Sequence, residues 1–291
     1  MSNVKYLSFT IIVPVYNEEK RIKRIVDYYS TIAPMIVVDN FSTDDTEKIL
    51  RESGVSFIKL KNDGTTQTPE WTRNVSAMIN TDYVLFGSAS TFYPRKLMEK
   101  FDEVARSGEY GMVDNVIESY TCGEYIPIWR GLVTLSDRRH QIFFNRHEID
   151  YDSIFIHRPY KIKDMGRVLT LPNSSEYNII HLRDSDAYSL LTKCLSYSFV
   201  EANQIIAAGN DFSVFSLFVW SFKEMLRLVR LPFKQWHGVT FREIWARIFL
   251  HTMIFWMVWE LKSNNTLEKS RCKSEMLWNN LIRESDSFQN Q

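Results

Sequence analysis

The chain has 291 residues, 45% of them hydrophobic and 24% charged, ordinary for a globular protein and enough for one large domain or a domain with an appendage. Its 35 Lys/Arg balance 35 Asp/Glu, so no global field argues for a nucleic-acid partner. Three widely separated cysteines, Cys122, Cys194 and Cys272, argue against a disulfide framework or a zinc cluster and suggest a reducing compartment. The charge is uneven: between residues 211 and 273 ten Lys/Arg face five Asp/Glu, a net of +5 that leaves −5 elsewhere. Six of the eight Trp also lie beyond residue 219, so the back of the chain is basic and Trp-rich. The N-terminus lacks a basic segment leading into a long apolar run, and no secretory signal is expected.

Residues 9–15, FTIIVPV, are an apolar, β-branched run and predict a first strand. Tyr16, Asn17 and Glu18 make a turn into a helix over 18–31, with Ile22, Ile25, Val26 and Tyr29 on its apolar face; Pro34 closes it. A second strand, Met35 to Val38, runs into Asp39, the way a buried parallel strand delivers a carboxylate to the sheet's carboxyl edge, where open α/β sheets bind ligands. The polar turn Asn40, Ser42, Thr43, Asp44 leads into a helix over 45–53 that ends at Gly54. Ser42 or Thr43 can cap that helix, whose N-terminus favours phosphate. A third strand over 55–60, a turn at 62–64, a helix over 69–79 and a fourth strand over 83–86 complete an alternating pattern. Such alternation predicts a mainly parallel sheet with helices on both faces. The fourth strand opens onto Gly87-Ser88-Ala89-Ser90, and a helix over 94–107 follows.

From residue 111 to 181 the character changes to shorter, more irregular strands at 112–120, 141–144 and 177–181, suited to the acceptor side of a cleft. Beyond 185 the pattern is helical: 185–208, an apolar 212–222 that turns basic at Lys223, Arg227, Arg230 and Lys234, breaks at Pro232 and Gly238, then 241–259. A transmembrane helix wants roughly 18 apolar residues with few charges. The first apolar run is too short for that, and Arg247 and His251 interrupt the second. Basic residues with Trp, Phe and Leu opposite suggest helices lying in a membrane interface. Packing on the front domain or on a second copy of the chain, and a true span, are the other readings.

The front half resembles glycosyltransferase family 2, whose fold is the GT-A nucleotide-diphospho-sugar transferase fold. The matching pieces are TIIVPVYNEE (10–19), IVVDNFSTDDT (36–46), WTRN (71–74) and DYVLF (82–86), and their order and spacing are more specific than any one of them. QIFFNR (141–146) and IIHL (179–182) are similar to blocks of lipopolysaccharide-core glucosyltransferase-like members. The resemblance implies a nucleotide-sugar donor. Pro14, Val15, Tyr16 and Glu18 would line the base and ribose, Asp39 would accept a base N–H, and Arg73 would stand near the pyrophosphate. Each has a plainer reading: Asp39 as a turn cap, Glu18 as a first-turn helix acid, Arg73 as half of a surface ion pair.

Two departures from the family stand out. Where it carries an Asp-x-Asp triplet for a divalent metal, this chain has Ser88-Ala89-Ser90, and hydroxyls are poor ligands for hard cations. A Mn or Mg ion is therefore doubtful: the diphosphate is handled without it, or the metal is held elsewhere, or the site is degenerate. His181 matches a family histidine that can contact metal or phosphate, or is simply structural. Inverting transfer also needs a base for the acceptor hydroxyl. The family's His-Glu pair reads His157-Arg158 here, so Asp137 is the first substitute, with Asp114, Glu118, Asp152 and His157 behind it.

These readings combine into an expectation. Residues 1–184 would form a GT-A domain and 185–291 an amphipathic helical region. The enzyme would move a sugar from a nucleotide sugar to a hydroxyl of a glycan or lipid-linked glycan, on the cytoplasmic face of a membrane, with a homo-oligomer as one arrangement of the chain. An inactive relative that binds nucleotide sugar or serves as an assembly partner is the alternative. A nucleotidyltransferase of the same fold is disfavoured, because the 16–18 turn lacks a glycine-rich basic loop.

Overall fold

The computed structural model describes residues 6–62, 65–121, 124–126, 139–154, 159–184, 187–210, 212–230, 238–264, 272 and 275–276. The chain divides into two compact units, Met1–Ala187 and Tyr188–Gln291.

In the first unit β1 (Thr10–Val15), α1 (Ile22–Tyr29), β2 (Met35–Asp39), α2 (Thr46–Ser53), β3 (Phe57–Lys59), α3 (Pro69–Ala77) and β4 (Tyr83–Phe86) follow one another. Then come β5 (Thr91–Phe92), α4 (Arg95–Ser107), β6 (Met112–Thr121), β7 (Glu124–Ile126), β8 (Arg139–Asn145), β9 (Val168–Thr170) and β10 (Ile179–Asp184). The ladder runs β3-β2-β1-β4-β8-β6-β10-β5, with β7 and β9 also paired to β6. β3, β2, β1 and β4 are mutually parallel, as the alternation requires. Beyond β4 the sheet is mixed: β8 runs antiparallel to both β4 and β6, whereas β10 is parallel to β6.

The period of two along the strands sorts side chains to two faces. Ile11, Val13 and Val15 of β1, Val37 of β2 and Leu85 of β4 pack with Ile22 and Val26 of α1, Leu50 of α2 and Phe101 of α4. Their sequence neighbours Ile12, Val38, Val84 and Phe86 point to the opposite face and pack with Trp71 and Val75 of α3 and with Ile79 just beyond it. Helices therefore cover both faces, the α/β arrangement the sequence predicts. Phe143 of β8 anchors the first layer: it is fully buried and stacked on Phe101 at 4.2 Å, with Phe9 edge-on at 5.1 Å.

The helix expected over 18–31 begins only at Ile22. Asn17 takes a left-handed conformation (φ 54°), and the amides of Asn17, Glu18 and Glu19 donate to Ser42, Thr46 and Asp44 of the next loop instead of entering a helix. α2 ends as expected, with Gly54 at φ 66°, a left-handed stop that glycine takes without penalty. Thr68 caps α3 by accepting from the Trp71 amide, and Pro69 fills the first helical position. The short strands β5, β7 and β9 carry too few residues for a period to register and were not foreseen.

The second unit is helical: α5 (Ala187–Ala207), α6 (Val214–Arg230) and α7 (Gly238–Asn264). Ala202, Phe212, Ile254, Val258 and Leu261 form one core; Leu190, Cys194 and Ala246 form another. α7 runs unbroken for 27 residues, longer than the sequence pattern implied. Its stretch Ile244–Ser263, 20 residues of mean hydropathy 1.2, is by length and composition able to cross a bilayer. Phe215, Phe218, Phe222 and Met225 line an exposed face of α6 at helical spacing, and Trp245, Trp256 and Trp259 are exposed on α7.

Candidate active site

β1, with β2 on one side and β4 on the other, marks the point where the strand order reverses, and a crevice forms at such a switch point. The residues at that carboxyl edge are Val15, Asp39 and the segment following Phe86. Register places Val15 beside Asp39, and the Asn40 amide donates to the Val15 carbonyl at 2.9 Å.

Asp39 is completely buried. Its Oδ1 accepts from the amide and the hydroxyl of Ser42, at 3.0 and 2.6 Å. Its Oδ2 has no hydrogen-bond partner among the described residues. A buried carboxylate oxygen without a donor is costly, and such a group in a native fold calls for an explanation such as a ligand. Phe41, between Asp39 and Ser42, sits at φ 60°, a conformation uncommon for a bulky side chain and of the kind that collects at ligand sites. Its ring lies exposed beneath Lys59 Nζ, 5.7 Å from the centroid.

The two loops beside Asp39 are tied together. Asn17 Oδ1 accepts from the Thr43 amide at 2.8 Å, while Ser42 Oγ accepts from the Asn17 amide at 2.9 Å. The Glu18 amide donates to Thr46 Oγ1 at 2.7 Å. Burial pushes the Asp44 carboxyl up, but hydrogen bonds from Thr46 and from the Glu19 amide outweigh it and hold the carboxyl below its ordinary range. Asn17, Ser42 and Thr46 thus shape the loop, a role that the sequence signalled only through the polarity of the turns. The Glu18 carboxylate grips Arg21 through two bonds, at 2.7 and 2.8 Å, and Arg21 Nη1 reaches the Arg183 carbonyl at 3.5 Å. Of the other candidates here, Val15 is buried, Pro14 half-buried and Tyr16 exposed.

Ser88 Oγ lies 3.0 Å from Ser90 Oγ and 2.6 Å from Thr91 Oγ1. The Ser90 carbonyl accepts from the Leu182 amide, and His181 stands opposite Thr91 in the β5–β10 ladder. The fold thus brings His181 to the Ser-Ala-Ser segment. A divalent metal here would meet neutral hydroxyls and one imidazole. No group of three or more His, Cys, Asp or Glu disposed to hold a metal occurs among the described residues. That donor set does not fit Mg or Mn, which take charged oxygen ligands.

Arg73 projects from α3 into solvent, where Nη2 donates to Asp152 Oδ1 at 3.0 Å and the guanidinium lies 5.2 Å from the Tyr151 ring centroid. Both members of the pair are exposed, as in a surface ion pair. On β6, Asp114 is held by Arg139 and Gln141, and Glu118 accepts from Asn178 at 2.7 Å. Burial and the neighbouring Glu118 push the Tyr120 hydroxyl above its usual pKa. Asp137 and His157 lie outside the described residues. Asn115 and Ser119, both buried on β6, each keep one oxygen without a hydrogen-bond partner among the described residues, a feature that sequence reasoning missed.

An open α/β sheet with an acid at the tip of its second strand defines a ligand-binding α/β fold, and comparison with known proteins gives the family. The chain belongs to the family described as glycosyl transferase family 2, whose model matches residues 10–165. It is 30% identical over 112 residues to the SPbeta prophage-derived glycosyltransferase SunS of Bacillus subtilis (strain 168), and equally to glycosyltransferase SunS of Bacillus phage SPbeta. That match covers 36% of this chain and only a quarter of those relatives. Glucosyl-3-phosphoglycerate synthase from Mycobacterium tuberculosis is similar in structure. Solved with Mn2+, uridine diphosphate and glucosyl-3-phosphoglycerate, it gives a TM-score of 0.41 at 16% identity, over 70% of this chain and 81% of that one. Its complex with Mn2+, UDP-glucose and phosphoglyceric acid gives 0.30 at 21% identity, over 40% and 44%.

Proposed function

We propose that this chain moves a sugar from a nucleotide-diphosphate sugar to a hydroxyl of a glycan or lipid-linked glycan, with inversion at the anomeric carbon. The observation that carries the reading is Asp39: buried, at the tip of β2, one carboxylate oxygen fixed by Ser42 and the other without a partner among the described residues. A base N–H entering there would supply the missing donor, a charge-assisted bond. Pro14, Val15, Tyr16 and Glu18 flank it as the walls for base and ribose.

In the transfer, the acceptor oxygen attacks the anomeric carbon as the nucleotide diphosphate leaves, and a base takes the hydroxyl proton. Asp137 and His157 are the assigned candidates. Asp114, Glu118 and Asp152 are each engaged by a neighbouring donor and are weaker ones. The QIFFNR and IIHL blocks favour a lipopolysaccharide-core glucosyltransferase-like member of the family.

The exposed aromatic residues of α6 and α7, with the basic residues around Lys223, support attachment of the second unit to the inner face of a membrane, near a lipid-linked acceptor. In this reading residues 1–184 are the transferase domain and 185–291 the attachment region. Association between copies of the chain is the competing use of those faces. Flotation with anionic vesicles, weakened by salt, supports attachment; a salt-resistant oligomer that ignores vesicles refutes it.

The catalytic reading is tested by incubating the purified chain with a panel of nucleotide sugars and membrane glycolipid extract and measuring release of nucleotide diphosphate. Turnover of one donor that Asp39→Ala abolishes is expected. Turnover that survives Asp39→Ala would remove the reading's support.

A further inference from the structure

Ser88-Ala89-Ser90, which stands where the family carries its metal-binding triplet for the donor diphosphate, has no acid. We infer that this chain binds the diphosphate directly, without a bridging divalent metal, through the hydroxyls of Ser88 and Ser90 and the Arg21 guanidinium at the neighbouring strand edge. The inference rests on the donor reading above.

A count of protons supports it. The three hydroxyls carry three O–H donors, and the two contacts among them, at 3.0 and 2.6 Å, consume at most two. Thr91 is buried and its side chain also hydrogen-bonds Tyr93, so the hydroxyls that can turn from one another to an arriving anion are those of Ser88 and Ser90. The cluster lies on the turn after β4 and is only half-buried at Ser88 and Ser90, so an anion can reach it.

Charge points the same way. Ser90 is bonded through its carbonyl to the amide of Leu182, which places His181 and Arg183 to either side of that contact on β10. Arg21 Nη1 reaches the Arg183 carbonyl at 3.5 Å, which brings the Arg21 guanidinium to this edge. Glu18 is the acid paired with Arg21 there. Guanidinium groups are permanently charged and present planar forks of donors that match phosphate oxygens. With carboxylates at 88 and 90, the site would repel a diphosphate until a cation arrived. With hydroxyls it already has the polarity of an anion site, and a metal would find no negative ligands to offset its dehydration.

The test uses the full chain and two readouts. Calorimetry with UDP, GDP, ADP, CDP and dTDP is run in excess EDTA and again in excess MnCl2. Electron paramagnetic resonance follows free Mn2+ as protein is added without nucleotide. The expected result is one nucleotide whose affinity differs by less than about twofold between the buffers, with the Mn2+ signal undiminished. S88D/S90D should weaken that nucleotide at least ~10-fold in EDTA, recover with Mn2+ and deplete the Mn2+ signal. Native binding that tightens ~10-fold or more with Mn2+, or a native Mn2+ site, overturns the metal-free inference alone. Failure of all five nucleotides in both buffers overturns the donor reading and the diphosphate assignment with it. The native measurements decide the matter even if the double variant does not fold.

Discussion

Replacing Asp39 by Asn separates a ligand-binding role from a structural one. Asn keeps an oxygen for the Ser42 amide and hydroxyl and nearly the same volume, so the turn at the tip of β2 stays closed. What changes is the second position, where the partnerless Oδ2 becomes an NH2 group that can no longer accept. A hydrogen bond to a charged acceptor is worth ~1.5–3 kcal/mol, so nucleotide affinity should fall roughly 10- to 150-fold. Stability should move the other way or not at all, because the substitution removes a charge from a fully buried site. Isothermal calorimetry with the preferred nucleotide and a thermal melt of the same sample give both numbers. Unchanged affinity with a melting temperature lowered by several degrees would show that Asp39 is a turn cap and nothing more.

Phe143→Ala empties the centre of the aromatic stack with Phe101, Phe9 and Tyr83 and should cost ~3–5 kcal/mol, a fall of roughly 6–20 °C in melting temperature. Gly54→Ala meets no neighbour within 4 Å, so its cost is the left-handed backbone alone, ~1–2 kcal/mol by chemical denaturation. Asp152→Ala should leave the melting temperature within about 2–4 °C, since exposed ion pairs contribute little. If Arg73 serves phosphate, that variant also leaves nucleotide affinity intact while Arg73→Ala weakens it; equal losses from both would assign the pair a joint positioning role. The Asp102 carboxyl is pushed up by burial, but Arg106 and Ser8 more than reverse this and hold it below the ordinary value. Its stabilising contribution is therefore complete above the unfolded pKa of about 3.9 and fades as pH falls through the lower folded value. Melting curves from neutral to acid pH should show that loss, and Asp102→Asn should flatten it.

Much of the front was legible because each signal was local. An apolar run ending in Asp39 needs no partner to announce a buried strand with an acid at its tip, and Gly54 marks a helix stop by itself. α1 was misjudged at its start because the competing bonds, from the Asn17, Glu18 and Glu19 amides to Ser42, Thr46 and Asp44, come from a loop about 25 residues away. The same reason hid the arrangement around β6. Asn115, Ser119 and Glu118 read as an ordinary polar alternation until register sets them against β8 and β10, and β9 is too short to show any period. Ser88-Ala89-Ser90 was visible as a departure from a family pattern. Its proximity to His181 depended on a β5–β10 pairing between residues 90 positions apart.

β6 belongs to two neighbourhoods at once: Met112 to Val116 pair with β8 and Met112 to Asp114 with β9, while Ile117 to Thr121 pair with β10. Its parity is therefore shared property. Removing a single residue near Val116 would invert which side chains face inward on everything downstream, exchanging Ser119 for Tyr120 across the strand. Anyone grafting a new acceptor pocket onto this scaffold can trade loops freely but must alter that strand in steps of two.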